Sequence, residues 1–576
     1  MTYWHIWIVV IMCVTLGLVQ RVCEAQSVDP RSERDAIAKA QIPDGVKAVW
    51  DIDKAHREAT PTRERVCING LWRWQPAGDM TDEVPTDGWG YFKVPGPWPG
   101  ITSYIQYNSQ TVYPHPNWKD EDLRSISMAW YQREITIPDE WSGRRITVYV
   151  EYLNSHAIVY VDGAEIGEIH FPAGEVDITS VCRPGGKYVL SLFTTAMPLS
   201  AVVMSYNDTI AARLVKGTVS RRGLCGDVFL ASEPAEERIN DVKIDTSVRK
   251  WEITFDTALH DLKPDNTYSL SARIIENDSE VADFRSKTFK AADLEKNRFA
   301  FTNQWKPAKL WDTHTPGNMY TLEFSLLDSG GEVLDKSQPV HFGFREFWID
   351  GRDFYLNGTR FFCFVVPLDN GMISTATATY QEMRETFMRL KAIGVNTMYT
   401  HNYGCQPGSH LSFAEILKAA DDVGMLISFS QPHYGHYKWD DEDADETNGY
   451  ARHAEFYVRM AQNHPSVVMY SMNHNALSYT GSSNPDRIDG LHNEKGEIGP
   501  RTDRGTRRGE RTEAIVKRFD SSRVIYHHSS GNQGQMHTNN LYLNFVPIQE
   551  RSDWFEHWST EGVKPLYLCD MAHRGV

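Results

Sequence analysis

The sequence is poor in cysteine. Its 576 residues include 8 cysteines, and Cys13 and Cys23 belong to an apolar segment at the N-terminus. The others are widely scattered, with no CxxC pair: Cys67, Cys182, Cys225, Cys363, Cys405 and Cys569. A disulfide framework is therefore excluded as the principle that organises the fold, although isolated pairs stay open.

Long apolar runs are also scarce. After residue 25, no segment approaches the roughly 18 apolar residues that a membrane-spanning helix needs. The segment from Ile6 to Val19 is nearly all apolar but short, and Cys23-Glu24-Ala25 then places a small residue at a plausible cleavage point. The sequence predicts a signal peptide over residues 1–25 and an exported protein with no stable membrane span after its removal. A short membrane anchor is the alternative, because the stretch before Ile6 lacks Lys and Arg.

Positive charge is in deficit. There are 59 Lys and Arg residues against 76 Asp and Glu residues, which gives a formal net charge of −17. Such a field repels polyanions and argues against a nucleic-acid partner, so a neutral or cationic ligand fits better.

Aromatic residues, in contrast, make up 12% of the chain. Flat rings serve both as sugar platforms and as filling for β-sandwich cores, and composition does not choose between these uses.

The first half of the chain has the pattern of β-structure. Residues 26–60 are polar with a short helical pattern, and we assign them to an N-terminal linker. Between residues 61 and 234, short runs alternate apolar and polar residues with a period of two, which predicts strands. Examples are Tyr131–Ile137, Arg145–Glu151, Ala157–Val161 and Lys187–Phe193. Asp162-Gly163 after the third run is a hairpin signal. These features predict an all-β sandwich.

Residues 235–345 repeat this pattern on a smaller scale. The alternating runs here are Asp241–Asp245, Trp251–Phe255, Tyr268–Ile274 and Tyr320–Leu326. A segment of this length with such strands predicts one immunoglobulin-like β-sandwich.

From residue 346 to residue 576, apolar strand-like runs alternate with helix-period segments. The strand-like runs are Arg360–Val366, Val395–Tyr399, Met425–Phe429, Ser466–Tyr470, Arg523–Tyr526, Leu541–Phe545 and Pro565–Leu568. The helices are expected at about Tyr380–Ile393, Leu411–Val423 and Ala451–Gln462. This rhythm is typical of a (β/α)₈ or TIM barrel, an α/β fold. An eighth strand is missing, so we expect an incomplete barrel in a fragment or truncated product of a longer protein.

The order of these regions and their local motifs resembles family 2 glycoside hydrolases, the β-galactosidase/β-glucuronidase family. The similar motifs are Asn69-Gly70-Leu71-Trp72, Val94-Pro95-Gly96-Pro97-Trp98, Gly226–Leu230, Phe342–Glu346 and Tyr355–Gly358. The resemblance runs from about Val66 to Val576. It implies a multidomain protein with a sugar-binding-like jelly-roll sandwich, an immunoglobulin-like sandwich and a TIM-barrel catalytic domain. It also implies hydrolysis of O-glycosidic bonds in a β-linked glycan or glycoside.

The family uses two glutamates, an acid/base after barrel strand four and a nucleophile after strand seven. Their chemistry is double displacement, in which one carboxylate attacks the anomeric carbon and a protonated carboxyl gives its proton to the leaving oxygen. His464–Ser471 is similar to the family's strand four, and the acid/base position then falls on Asn475, preceded by His474. An amide cannot donate a proton as a carboxylic acid does.

The nucleophile position falls on Asp570, within Lys564–His573, which is similar to the family's strand seven. Aspartate can attack as glutamate does, but its shorter side chain moves the carboxylate by about 1.5 Å. A displacement of this size can cost about 10²-fold in rate. A further departure follows strand two, where Met398 stands in place of the family's arginine.

Histidines crowd the predicted strand ends: His401, His433, His436, His474, His527, His528 and His573. The resemblance places His401, His436 and His573 in contact with substrate or metal, and we add His528 and Trp439 as candidate substrate-binding residues. An imidazole can act as acid or base near pH 7. A divalent metal held by histidine and Asp570 is conceivable, but no HxH or HExxH spacing supports it, and no cofactor is expected.

Two charge runs remain. The acidic run Asp440–Glu446 is either the rim of a site for a cationic sugar or a solvated loop, and we favour the loop. The basic run Arg501–Arg511 is interpreted as the approach to a helix or as surface rather than as an anion clamp. The leading hypothesis is an exported glycosidase that acts on a carbohydrate substrate. The sequence leaves open whether the protein forms a homo-oligomer. A catalytically silent carbohydrate-binding protein on the same scaffold is the alternative, and a structural sandwich array with a relic barrel is a third.

Overall fold

The computed structural model describes residues 54–78, 83–96, 98, 112–123, 125–196, 222–369, 379–401, 413–472, 485–489, 500–541, 547 and 549–570. Within these ranges, none of the helices has the length and apolar character needed to cross a membrane. The predicted signal peptide and the polar linker up to residue 53 lie outside the described residues.

The first region is an antiparallel β-sandwich. Its strands are β1 Arg57–Ala59, β2 Glu64–Cys67, β3 Gly70–Pro76, β4 Gly90–Val94, β5 Val112–Tyr113, β6 Met128–Thr136, β7 Arg144–Val150, β8 Leu153–Asn154, β9 His156–Val161, β10 Ala164–His170, β11 Gly174–Asp177, β12 Lys187–Thr195, β13 Gly223–Leu224 and β14 Val228–Pro234. One sheet has the order β1-β2-β14-β7-β11, and the other has the order β10-β9-β12-β6-β3-β4-β5. The strands predicted from the alternating pattern are all present.

Aromatic side chains fill the core of this sandwich. Trp72, Trp74 and Trp98 are fully buried, and the rings of Trp74 and Trp98 lie 6.0 Å apart. These aromatic residues therefore pack in the core and do not form a surface on which a sugar could stack. The hairpin between β9 and β10 turns at Asp162 and Gly163, whose φ angles of 48° and 84° are both left-handed. Two positive φ angles match the type I′ turn that Asp-Gly favours, so the predicted hairpin is confirmed.

The second region is a smaller antiparallel sandwich. Its strands are β15 Arg238–Ser247, β16 Glu252–His260, β17 Ser269–Glu276, β18 Ser279–Arg285, β19 Arg298–Gln304, β20 Tyr320–Leu327, β21 Val333–Lys336 and β22 Val340–Phe342. One sheet has the order β15-β16-β19, and the other the order β18-β17-β20-β21, with β22 also paired to β20. Phe255, Phe301 and Phe324 stack in the core between the sheets, with ring centroids 5.2–6.4 Å apart.

The third region begins with a small antiparallel sheet of β23 Phe347–Asp350, β24 Asp353–Leu356 and β25 Thr359–Phe361. Parallel strands follow: β26 Val365–Asp369, β27 Thr397–His401, β28 Leu426–Ser430, β29 Val467–Met472, β30 Val524–His527, β31 His537–Asn540 and β32 Leu566–Asp570. The helices are α1 Tyr380–Ala392, α2 Ala414–Val423, α3 Ala444–Thr447, α4 Tyr450–Ala461, α5 Pro500–Phe519 and α6 Glu556–Glu561. Strands β26 to β30 form one parallel sheet in chain order, and β31 pairs with β32 in a parallel ladder.

The central parallel strands β28 and β29 form where the sequence has short, mainly apolar runs. All residues of β28 and β29 are buried, as expected of strands that are covered on both faces. Helix α2 buries Ile416, Leu417 and Ala420 against this sheet, and it ends at Gly424, whose φ of 74° is the left-handed conformation of a helix C-cap. The βα alternation predicted from the sequence is therefore present in the described residues.

Several boundaries differ from the sequence-based predictions. The predicted run Arg360–Val366 spans the end of the antiparallel strand β25 and the start of the parallel strand β26. The predicted run Leu541–Phe545 lies, beyond Leu541, outside the described residues. The structure adds a parallel strand that was not predicted, His537–Asn540. This strand is polar although all its residues are buried, so an apolar pattern could not reveal it. The basic run Arg501–Arg511 lies inside helix α5 rather than before it.

Buried polar contacts fix the second sandwich to the parallel sheet. Arg345, which follows β22, donates from Nε to the Pro465 carbonyl over 2.9 Å and from Nη2 to the Val467 carbonyl over 2.6 Å. These carbonyls lie at the start of β29, so the arginine of the Phe342–Glu346 motif positions a parallel strand. Jelly-roll connectivity, closure of a TIM barrel with its truncation after strand seven, and the domain boundaries stay predictions.

Candidate functional site

The carboxyl ends of the parallel strands meet at one edge of the sheet. Asp369, the last residue of β26, pairs with His401, the last residue of β27. Ser430 at the end of β28 pairs with Ser471, and Met472 at the end of β29 pairs with His527. In (β/α) folds this edge is where catalytic side chains lie. We refer to it below as the carboxyl edge.

The predicted catalytic residues are only partly described. Asn475, His474 and His573 lie outside the described residues. Asp570 and His401 are the last residues of β32 and β27, and His436 lies in the short 3-10 helix Tyr434–His436, but their side chains are outside the described part. Asp570 pairs with Asn540 of β31, so its backbone lies at a carboxyl end, where the prediction placed it.

His528 is the predicted site residue whose surroundings are best described. It follows β30, it is 2% exposed, and its backbone N–H donates to the Met472 carbonyl over 2.9 Å. Its ring centroid lies 5.6 Å from that of Tyr399 in β27. His528 therefore joins the ends of β27, β29 and β30. Strand β29 is the strand after which the sequence continues to His474 and Asn475.

The segment after His528 is tied to the next parallel strand. The Thr538 hydroxyl in β31 donates to the His527 carbonyl, and it also accepts from the Ser530 N–H over 2.9 Å. These bonds place β31 beside β30. Because β31 pairs with β32, the chain from His528 to Asp570 is linked along one edge.

A buried contact between His527 and Glu513 joins the end of β30 to helix α5. His527 Nε2 lies 3.0 Å from Glu513 Oε2 of helix α5, and the histidine side chain is 1% exposed. Burial alone would raise the pKa of Glu513, but the hydrogen bond and charge of His527, with help from Lys517, lower that pKa to about 2. Glu513 is thus a fixed anion that orients His527 and, through it, the adjacent His528.

Hydroxyl groups and aromatic rings fill the interior beneath the carboxyl edge. The Ser428 hydroxyl donates to the Tyr526 phenol oxygen over 3.0 Å, and the rings of Tyr526 and Tyr567 lie 4.9 Å apart. Burial raises the pKa of both tyrosines well above the ordinary value. They are neutral at physiological pH and form a packed floor rather than a source of charge.

Gln431 is a site candidate that the sequence analysis missed. It follows β28 directly, its N–H donates to the Ser471 carbonyl over 2.9 Å, and it is 1% exposed. Within the part of the chain that the structure describes, neither atom of its side-chain amide has a hydrogen-bond partner. A buried amide without a partner costs about 1–3 kcal/mol, so this group is suited to bind a polar ligand group. It follows Ser430, the last residue of β28, and no motif in the sequence marks it.

Trp439 does not fit the role predicted for it, and the sugar-stacking assignment is corrected here. It is 4% exposed, and its indole N–H donates to the Tyr434 carbonyl over 2.8 Å. Its ring packs against Tyr450 at 5.3 Å, and the Arg511 guanidinium lies over the ring at 5.2 Å. Tyr450 and Arg511 cover the indole ring, so no face of it is open to a sugar, and Trp439 is part of the core.

The two charge runs pair with each other. Three arginines of helix α5 form ion pairs with the acidic segment: Arg508 with Asp440 at 3.3 Å, Arg511 with Asp445 at 2.7 Å, and Arg518 with Glu446. The sequence analysis treated each run as solvated surface on its own. Their mutual neutralisation argues against both the cationic-sugar rim and the anion clamp.

Metal ligation at the carboxyl edge has no support in the described residues. Of the side chains that the structure describes, the set of His, Cys, Asp or Glu close enough to share an ion lies in the first sandwich instead. Among the described cysteines, Cys67, Cys182 and Cys363 are free thiols. Among the described side chains, the edge presents the buried imidazole of His528 and the buried amide of Gln431.

Comparison with known proteins identifies a related family. The family model described as Glycosyl hydrolases family 2 matches residues 237–345, which is the second sandwich. A putative beta-glucuronidase of Formosa agariphila is 23% identical over 481 residues, covering 81% of this chain and 52% of the relative. A beta-glucuronidase of Paenibacillus borealis is 24% identical over 457 residues, covering 74% of this chain and 70% of the relative.

The fold is also similar to a solved structure. The crystal structure of a Bacteroides uniformis beta-glucuronidase gives a TM-score of 0.61 at 19% identity, covering 88% of this chain and 58% of that one. The chain thus spans about half the length of the first curated relative and somewhat more of the solved structure. The predicted resemblance is confirmed, and this chain is related to the family 2 glycoside hydrolases.

Proposed function

We propose that this chain belongs to a glycoside hydrolase that cleaves the O-glycosidic bond of a β-linked glycan or glycoside at the carboxyl edge. The observation that carries the proposal is the position of Asp570, an ionisable residue at the carboxyl end of β32. That strand pairs with β31, whose Thr538 hydroxyl bonds to the His527 carbonyl at the end of β30. A carboxylate there can attack an anomeric carbon held against the strand ends. The β-glucuronidase names of the relatives make β-glucuronides the first substrates to test.

In the proposed reaction, the Asp570 carboxylate forms a bond to the anomeric carbon as the bond to the leaving oxygen breaks. Water then hydrolyses the glycosyl ester and regenerates the carboxylate. The leaving oxygen needs a proton unless it is a stable anion. Asn475 cannot supply that proton, so His474 beside it is the candidate donor.

The substituted acid/base position supports a second candidate function. A protein with Asn475 in place of a carboxylic acid could bind a glycan at the same edge without cleaving it. His401, His436 and His573 would then contact sugar hydroxyl groups, as they would in the enzyme. The two functions differ in turnover and not in ligand class.

The distinguishing experiment measures hydrolysis of p-nitrophenyl β-glucuronide, β-galactoside and β-glucoside by the full chain and by Asp570→Asn. We expect release of p-nitrophenol by the unaltered chain and its loss in the variant. Asp553→Asn, which removes an exposed carboxylate from the segment before β32, is the matched control and should keep full activity. If none of these glycosides is cleaved while oligosaccharides bind in calorimetry, the hydrolase proposal fails and the binding function replaces it.

We also propose that the protein is exported, on the basis of the apolar segment from Ile6 to Val19. Expression with residues 1–25 present should deliver protein outside the cytoplasm with a new N-terminus near Gln26. Intact N-terminal sequence in a membrane fraction would instead support the anchor.

A further inference from the structure

Three metal-ligating side chains lie together on the β9–β10 hairpin of the first sandwich, outside the proposed catalytic set. His170 is the cross-strand neighbour of His156. Glu168 precedes His170 by two residues and therefore projects from the same face of β10. His156 is buried, whereas Glu168 and His170 are exposed at the edge of the sheet.

The distances bring the three groups to a common point. His156 Nε2 lies 3.0 Å from Glu168 Oε2, and His170 Nε2 lies 3.3 Å from the same oxygen. One ligand atom from each residue falls within 4.8 Å of the other two. In a tetrahedral zinc site with bonds of about 2.0–2.1 Å, neighbouring ligand atoms are about 3.3 Å apart. The hairpin thus presents two imidazoles and a carboxylate at nearly the spacing of a single ion.

We propose that His156, Glu168 and His170 bind one Zn²⁺ ion, with water completing the coordination. Two nitrogen ligands and a single carboxylate favour this borderline ion over Mg²⁺ and Ca²⁺, which prefer sites made wholly of oxygen. The ion would link both strands of an edge hairpin and so hold them in register.

The hairpin also meets the third region, which suggests what the ion stabilises. Phe171, the residue after β10, packs edge-on against His453 of helix α4 with ring centroids 5.6 Å apart. A metal that fixes β10 at His170 would therefore also fix this contact between the first sandwich and α4. The proposed ion is structural, and none of its ligands belongs to the proposed reaction.

Isothermal titration of the full chain with ZnCl₂ at pH 7.5 tests the proposal. We expect one equivalent whose affinity falls at least about tenfold in His156→Gln, His170→Asn and Glu168→Gln, and is unchanged in His314→Ala, an exposed histidine of the second sandwich. Zn²⁺ should also raise the melting temperature of the unaltered chain more than that of the variants, because it binds the folded state.

Glu168→Gln keeps the test interpretable if a histidine variant misfolds, because the glutamate is exposed on an edge strand, and far-UV circular dichroism checks each fold. Zn²⁺ binding that is equal in the unaltered chain and in the correctly folded variants would overturn the proposal. The absence of binding at 100 µM Zn²⁺ would also overturn the proposal. That concentration is about a tenth of the one at which sites with millimolar affinity fill. Equal occupancy by Mg²⁺ or Ca²⁺ would overturn the choice of ion.

Discussion

Glu513 Oε2 of helix α5 lies 3.0 Å from His527 Nε2, and this contact joins the helix to the last residue of β30. The next residue, His528, touches Tyr399 and bonds to Met472, so the ion-pair geometry lies directly behind the carboxyl edge. A charged group placed there fixes the end of β30. Precise placement of site residues depends on such supporting contacts.

Glu513→Gln should destabilise the fold by about 1–3 kcal/mol at pH 7, because a hydrogen bond to a charged group is lost. The folded pKa of Glu513 is lowered to about 2 from an ordinary value of 4.5. Its contribution to stability is therefore present above pH 4.5 and disappears as the pH falls toward 2. Urea unfolding at pH 7 and pH 3 measures both effects.

The control for this variant is Glu385→Gln, which removes an exposed carboxylate paired with Arg389 one helical turn away. Such surface pairs contribute about 0.3–0.5 kcal/mol. Equal losses at pH 7 and pH 3 for Glu513→Gln, or losses no larger than the control's, would show that the anion does not fix the strand.

Asp520 is the centre of a second buried network, which joins the second sandwich to the parallel sheet. Its side chain is fully buried and accepts hydrogen bonds from Arg523 and from the Tyr470 hydroxyl at 2.9 Å, and Lys243 of β15 lies 3.2 Å away. Although burial opposes its charge, Arg523 and Lys243 hold the pKa of Asp520 well below the ordinary value.

Asp520→Asn should cost about 3–5 kcal/mol, because it leaves the buried Arg523 without its anion. Asp245→Asn, which removes the partly exposed second partner of Lys243, is the matched control and should cost about 1 kcal/mol or less. Thermal unfolding followed by calorimetry gives both values. A loss below about 1 kcal/mol in Asp520→Asn would mean that the network does not hold the two regions together.

The sequence predicted the strands well wherever burial is apolar. β20 buries alternate residues, as the period-two pattern predicts, and β29 follows a mainly apolar run. β6, β9 and β12 also form where they were predicted, although each buries a run of consecutive residues. Such patterns work because a strand's faces are set by what covers them. The sequence did not predict β31, whose residues His537, Thr538, Asn539 and Asn540 are all polar and buried. No hydrophobic period marks a strand of this kind.

The site was harder to predict, because a side chain's role depends on partners that are distant in the chain. Trp439, next to an acidic segment, was a candidate for stacking on a sugar, yet Arg511 of α5 covers its ring and pairs with Asp445 of the segment. Gln431 received no attention, since only the fold reveals that its amide is buried at the carboxyl edge. The proposed roles of Asp570 and Asn475 came from family resemblance, and they stay predictions.

Gln431→Ala should raise KM for an aryl glycoside by about tenfold, because the substrate loses a hydrogen bond to a buried amide. Stability should not fall, because the amide has no partner within the described residues to lose. Ser466→Ala is the matched control: it removes another buried polar atom without a described partner, next to the amino end of β29. A loss of stability with unchanged KM would assign Gln431 to the fold instead of the substrate.

The last prediction concerns the missing acid. If Asp570 attacks and Asn475 cannot protonate the leaving group, glycosides with acidic leaving groups should react far faster than alkyl glycosides, since the former need no proton. Asn475→Glu should then raise kcat/KM for the alkyl glycosides by about 10²–10⁴-fold and leave the activated aryl glycosides nearly unchanged.

Asn473→Glu, which places the same carboxyl two residues away, is the control and should give no such gain. If His474 already supplies the proton, His474→Ala should lower kcat/KM for alkyl glycosides most and remove the limb of the pH profile near the pKa of imidazole. The rate of alkyl glycosides relative to aryl glycosides therefore separates the two routes. If alkyl and aryl glycosides react at equal rates in every variant, departure of the leaving group does not limit the rate. The assignment of Asn475 to the acid position would then be contradicted.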